Sequence, residues 1–166
     1  MKFQTIVLLV TCALFQGCSH RSELSLDKVE RLQLGASQSE VEREFGKPTD
    51  IFETAPDRNS AEWFYIVGDY NRAVFEIDHS TGRLVSKFWD VREGDEVRKI
   101  ERALARYPNA HFKLRDSTVK PPHGGPGYTW YEDAASGIGI QIRKGHNAVE
   151  SIVWCRDEPK RSCRRD

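Results

Sequence analysis

Residues 73–89 read AVFEIDHSTGRLVSKFW, and residues 138–154 read IGIQIRKGHNAVESIVW. Phe75 and Ile77 recur as Ile140 and Ile142, and Leu84, Ser86 and Trp89 recur as Val149, Ser151 and Trp154, all at an offset of 65. Ile138, Ile140 and Ile142 alternate with Gly139, Gln141 and Arg143, the period of two that turns one strand face to a core and the other to water. DHSTG and RKGHN are polar and glycine-bearing, so each joins two strands as a hairpin loop. Each stretch therefore predicts a β-hairpin, and the constant offset predicts one supersecondary unit used twice. Chance similarity between amphipathic segments is the competing explanation.

Outward from these hairpins the recurrence continues with helical signals. SEVEREFGKPTDIF precedes the first hairpin and VRKIERALARYPNAHF the second, with Pro48 matching Pro108 and Phe52 matching Phe112 at an offset of 60. Ser37 and Glu40 form an S-x-x-E capping box. Val41 and Phe45 lie four apart on one helix face, and Gly46 and Pro48 end that helix. Leu26, Val29 and Leu32 have helical spacing closed by Gly35, while Val97, Ile100, Leu104 and Tyr107 form a stripe that Pro108 ends. AEWFYIV and YTWYED add a strand to each unit. The expected fold is α+β: two tandem helix-plus-antiparallel-strand units, at residues 26–90 and 91–155, with helices packed on one face of the sheet. The opposite face is then available for a partner. The connection Asp90–Gly94 is too short for a flexible tether, which favours one compact body.

The chain ends carry the localisation signals. Lys2 is followed by an apolar run from Ile6 to Phe15, IVLLVTCALF. Ten residues fall short of the roughly 20 needed to span a bilayer as a helix, but fit a signal-peptide core. Gln16, Gly17 and Cys18 come next, then polar SHRSELS. A small residue before a cysteine resembles the bacterial lipobox. That resemblance implies cleavage after residue 17, lipidation of Cys18 and a linker over 18–25, with an ordinary secretory signal as the alternative. Two or more acyl chains anchor stably, at about 0.8 kcal/mol per buried CH₂. Ser19 in place of Asp implies, by resemblance to Gram-negative lipoproteins, sorting to the outer membrane on its periplasmic side. The membrane is thus one expected partner, through lipid.

Of four cysteines, Cys12 leaves with the signal and Cys18 is acylated, so Cys155 and Cys163 remain. In an oxidising compartment they are expected to pair, closing a short loop for about 2.5 kcal/mol, with two free thiols as the alternative. The bridge would clip the basic tail, 156–166, to the preceding strand. Over the whole chain 25 Lys and Arg balance 25 Asp and Glu, which leaves no general footprint for nucleic acid. No second apolar stretch approaches membrane length.

LGASQSEV, with Gly35, Ser37 and Val41, and EFGKP, with Phe45, Gly46 and Pro48, resemble the SmpA/OmlA (BamE) family of outer-membrane assembly lipoproteins. The following WFYIV, VFEID and GRLVSKFW are similar to that family's pattern, over about Leu26–Trp89. The second unit departs from it, since it lacks the Gly-x-Ser/Thr entry and replaces Gly-x-Pro by Arg106-Tyr107-Pro108. The tandem arrangement is also similar to the β-lactamase-inhibitor-protein fold, where a sheet face grips an enzyme.

Catalytic patterns are missing. There is no G-x-S-x-G and no H-E-x-x-H. His79 and His146 fall in corresponding hairpin loops, where exposed turn residues are the plain reading and a shared metal site the sharp one. PPHGGPG, 121–127, lacks the strand-loop-helix context of a phosphate cradle and reads as a surface loop. No catalytic residue, metal or cofactor is expected. Trp63, Trp89, Trp130 and Trp154 occupy strand ends, and aromatic residues serve both cores and binding surfaces. Core packing is the plain reading; a binding face including Tyr65, Trp89 and Trp154 is the candidate site. The expected function is a non-enzymatic, membrane-anchored periplasmic module that binds an envelope protein, in outer-membrane protein assembly or envelope integrity. The alternatives are a proteinaceous inhibitor of a hydrolase such as a β-lactamase or lysozyme, an enzyme on a lipid or cell-wall substrate, and a structural spacer.

Overall fold

The structure is a computed structural model, and it describes residues 24–54, 59–67, 70–116, 127–143 and 145–155. Among the described residues three short helices, α1 (Leu26–Arg31), α2 (Gln38–Phe45) and α3 (Ile100–Ala105), accompany eight strands. The strands are β1 (Asp50–Glu53), β2 (Ser60–Val67), β3 (Tyr70–Asp78), β4 (Arg83–Asp90), β5 (Lys113–Asp116), β6 (Tyr128–Asp133), β7 (Ile138–Arg143) and β8 (Val149–Cys155). A 3-10 turn at Glu96–Arg98 leads into α3.

All eight strands lie in one sheet, ordered β1-β2-β3-β4-β8-β7-β6-β5, with every neighbouring pair antiparallel. This corrects the expectation of two tandem helix-plus-strand units. The two stretches that recur at the 65-residue offset meet at the sheet's centre, where β4 and β8 pair from Ser86↔Cys155 to Asp90↔Ser151. Hydrogen bonding across that seam joins the strands into one eight-stranded body, and the helices are too short to build a layer for each half. The sequence pattern located the strands but contained no signal for which strands are neighbours.

The register shows how the core is made. One transverse row runs Tyr65, Ala73, Trp89, Ile152, Ile140, Tyr131. The next runs Trp63, Phe75, Lys87, Trp154, Ile138. Val29 of α1, Val41 of α2, Val97 of the 3-10 turn and Ala103 of α3 join these side chains in a single apolar cluster. The other face is not the open platform that alternation suggests. Phe64, Val74 and Val153 point there, and all are buried. Phe52 packs edge-on against Phe64, with ring centroids 5.1 Å apart. The Trp130 ring lies over Gly139, so that a Cβ added there would meet it at 3.3 Å.

Candidate binding groove

The proposed face of Tyr65, Trp89 and Trp154 is corrected by burial. These side chains are 5%, 3% and 7% exposed and belong to the central cluster. The Tyr65 hydroxyl donates to the Gly46 carbonyl at 3.0 Å, which ties α2's end to β2. The Arg72 guanidinium stacks 4.3 Å from the Trp89 ring, and Lys87 lies 5.0 Å from that of Trp154. Sequence could not separate these roles, because the aromatic residues that suit an interface also suit a core. The lipidation position Cys18 and the disulfide partner Cys163 lie outside the described residues, as do the signal segment, the tail 156–166 and residues 121–126 of the glycine-rich stretch. Cys155 ends β8.

The two histidines are not brought together. His79 follows β3, while His146 precedes β8, and the β4–β8 register sets these turns at opposite ends of the central strand pair. The His79 Nε2 lies 2.6 Å from Glu53. Among the described residues no group of three His, Cys, Asp or Glu side chains is arranged to hold a metal. No described helix is long and apolar enough to cross a membrane.

A groove of about 580 Å³ lies between α1 and α2, lined by Lys28, Arg31, Gln33, Gly35, Arg43 and Arg83 among others. The link joining the helices, residues 32–37, is hydrogen-bonded along β4. The Gly35 amide donates to Leu84 O at 2.7 Å, and the Leu84 amide donates to Ala36 O at 2.8 Å. Gly35 sits at φ +88°, a backbone that favours glycine, and this conformation turns the chain from α1 into that contact. α2 then starts on the expected capping box. Ser37 Oγ accepts from the Glu40 amide at 3.3 Å, while the Glu40 carboxylate accepts from the Ser37 amide at 2.7 Å. The Ser37 amide and then its hydroxyl hold the Glu40 carboxyl below the ordinary carboxylate range.

The α1 wall is fixed from below by Lys87. This side chain is 3% exposed, and its ammonium donates to the carbonyls of Val29 (2.7 Å), Glu30 (2.8 Å) and Leu32 (2.6 Å). A cation on the unsatisfied C-terminal carbonyls of a helix answers both their hydrogen bonding and their negative potential. Burial pushes the ammonium down to about 8, against an upward pull from Glu30. A second clamp comes from beyond α3. Arg106 Nε and Nη2 donate to Glu30 at 2.7 and 2.5 Å, and Arg106 also bonds Asp27. The Tyr107 hydroxyl donates to the same Glu30 carboxylate. The sequence reading singled out neither Lys87 nor Glu30. A lysine inside LVSKFW, on a strand otherwise apolar at that face, was the signal that could have found the first.

The groove is cationic. Lys28, Arg31, Arg43 and Arg83 line it, against Glu40 and Glu44. Glu40 is hydrogen-bonded to Ser37 and also lies in the field of Arg43 and Arg83. Lys28 donates to the Glu44 carbonyl and sits 5.0 Å from the Phe45 ring. Arg43 meets Glu44 only at 3.9 Å with both side chains exposed, a contact of little strength. Arg83 donates through Nη1 to the Gly35 carbonyl at 2.7 Å. Arg31 makes no ion pair among the described residues. Arg31, Arg43 and Arg83 are exposed on the groove, and guanidinium groups recognise carboxylates, often bidentately.

No family model matches the chain, and no curated protein does. Among solved structures, the chain is similar to an extracellular protein containing a SCP domain from Bacillus anthracis str. Ames. The identity is 14% and the TM-score 0.47, with 96% of this chain and 51% of that one covered. The chain thus spans about half the length of that protein.

Proposed function

We propose that this chain is a non-enzymatic, lipid-anchored periplasmic lipoprotein that binds an acidic segment of an envelope protein in the groove between α1 and α2. The anchor reading rests on Gly17-Cys18 behind a short apolar run, and the outer-membrane assembly setting rests on the SmpA/OmlA resemblance of the residues that build α2. The observation that carries the binding role is the convergence of Arg31, Arg43 and Arg83 on one groove whose walls are fixed by Lys87 and the Ser37–Glu40 box. Charge complementarity of this kind steers encounter and selects partners. The inhibitor alternative would use the sheet face opposite the helices, where Phe64, Val74 and Val153 are buried, and no cationic groove is needed for it.

Photo-crosslinking from position 33 tests the proposal, because Gln33 is exposed on the groove's rim. In cells expressing the full-length chain, a photoreactive residue in place of Gln33 is expected to capture one reproducible envelope protein. Mass spectrometry is expected to map the adduct to an Asp/Glu-rich segment. Adducts scattered over many proteins, or a mapped segment without acidic residues, would overturn it.

A further inference from the structure

The groove between α1 and α2 is not lined by charge alone. Leu32, Leu34 and Ala36, from the link between the helices, line it as well. Leu32 is buried in the apolar cluster, and Leu34 and Ala36 are partly buried against it. Arg31, Arg43 and Arg83, by contrast, are exposed. Resting on the binding role proposed above, we infer that the acidic segment taken by this groove carries an apolar side chain flanked on both sides by carboxylates.

The apolar part of the lining sits on backbone that is already held. The Gly35 amide donates to Leu84 O, the Leu84 amide donates to Ala36 O, and Ser37 bridges to Arg83. Lys87 fixes the Leu32 carbonyl at 2.6 Å. A surface ordered in advance costs less to bind. The three arginines come from α1, α2 and β4, so they border the link from separate elements. An apolar centre within a polar rim is the usual build of a binding patch. A segment bearing carboxylates alone would set charge over Leu34 and Ala36, and an apolar segment alone would cover guanidinium groups without pairing them. An extended segment meets both demands, because its successive side chains point to opposite sides. A residue turned down onto Leu34 and Ala36 has both neighbours turned towards the rim. The groove, at about 580 Å³, has room for such a short segment.

Fluorescence anisotropy of labelled peptides on the full-length chain in neutral detergent tests this, with detergent alone as blank. The probes are Gly-Ser-Glu-Glu-Leu-Glu-Glu-Ser-Gly, the same peptide with Ser in place of Leu, and Gly-Ser-Lys-Lys-Leu-Lys-Lys-Ser-Gly. The Leu-centred acidic peptide is expected to bind at least fivefold more tightly than the Ser-centred one, and the basic peptide not at all. Leu34→Ser is expected to erase that preference, and Arg31→Glu/Arg83→Glu to remove binding of both acidic peptides. Equal affinities of the two acidic peptides for the wild type would overturn the inference while leaving the acidic-segment reading in place. A preference that survives Leu34→Ser would overturn it equally. Failure of both acidic peptides to bind would overturn the inference and that reading together.

Discussion

The two central strands share a sequence pattern but do different jobs. At the 65-residue offset that aligns Leu84 with Val149 and Trp89 with Trp154, Lys87 of β4 corresponds to Ile152 of β8. Ile152 is fully buried among apolar side chains. Lys87 is buried as deeply, but its ammonium reaches three carbonyls at the end of α1. The helices differ in the same sense. α2 begins on a reciprocal Ser37–Glu40 box, whereas α3 begins at Lys99 with no side-chain cap. The half with polar anchors carries the groove. A fold can thus spend one buried charge to hold a helix in a fixed place, and the place is where the cationic side chains converge.

The comparison breaks most sharply at Lys87. Lys87→Ile, which copies the β8 residue, leaves the carbonyls of Val29, Glu30 and Leu32 without their donor. It is expected to cost about 3 kcal/mol in urea unfolding, despite the gain in apolarity. A cost below that of an ordinary surface change would show that α1 does not depend on the lysine.

Titration sharpens the same point. The ammonium is lowered to about 8 in the native state from 10.5 when unfolded. Between those values the unfolded chain holds the proton more tightly, so stability rises with pH. The penalty for burying the charge is present below pH 8 and relieved towards 10.5. From pH 8 to 10 the wild type is therefore expected to gain on Lys87→Ile by on the order of 2 kcal/mol. Above pH 10 the buried Tyr65 and Tyr107 hydroxyls, both raised by burial first, act oppositely. Their native protons are held where the unfolded chain has lost them, and stability falls. Parallel curves for the two proteins between pH 8 and 10 would show that Lys87 keeps its proton as firmly in the native state as in the unfolded one.

Smaller effects separate the helix starts. Ser37→Ala removes a working cap and is expected to cost about 1 kcal/mol. Lys99→Ser supplies one that α3 lacks and is expected to stabilise by about 0.5 kcal/mol, both read from midpoints of thermal unfolding. Equal shifts of the same sign would show that capping does not distinguish the two halves.

Local chemistry was legible in the sequence. The Ser37–Glu40 box, the stop at Gly46 and the strands around Phe75, Trp89, Ile140 and Trp154 all follow from spacing and residue type. Neighbour relations were not, because hydrophobic alternation says which face a residue takes and nothing about which strand lies beside it. The β4–β8 seam is such a relation, and missing it turned one sheet into two units. The groove was hidden for a related reason. Arg31 and Arg83 lie far apart in sequence and line one groove because the Gly35–Ala36 link bonds to Leu84. Tyr65, Trp89 and Trp154 carried the most conspicuous side chains, and the register sends all three inward.

The most direct test of the central claim is the yield of the position-33 photo-adduct in the wild type against Arg31→Glu/Arg83→Glu, with matched expression and matching unfolding midpoints. On the proposed function, reversing two cations of the groove is expected to cut the captured envelope protein at least tenfold. An undiminished yield from a folded double variant would contradict the account.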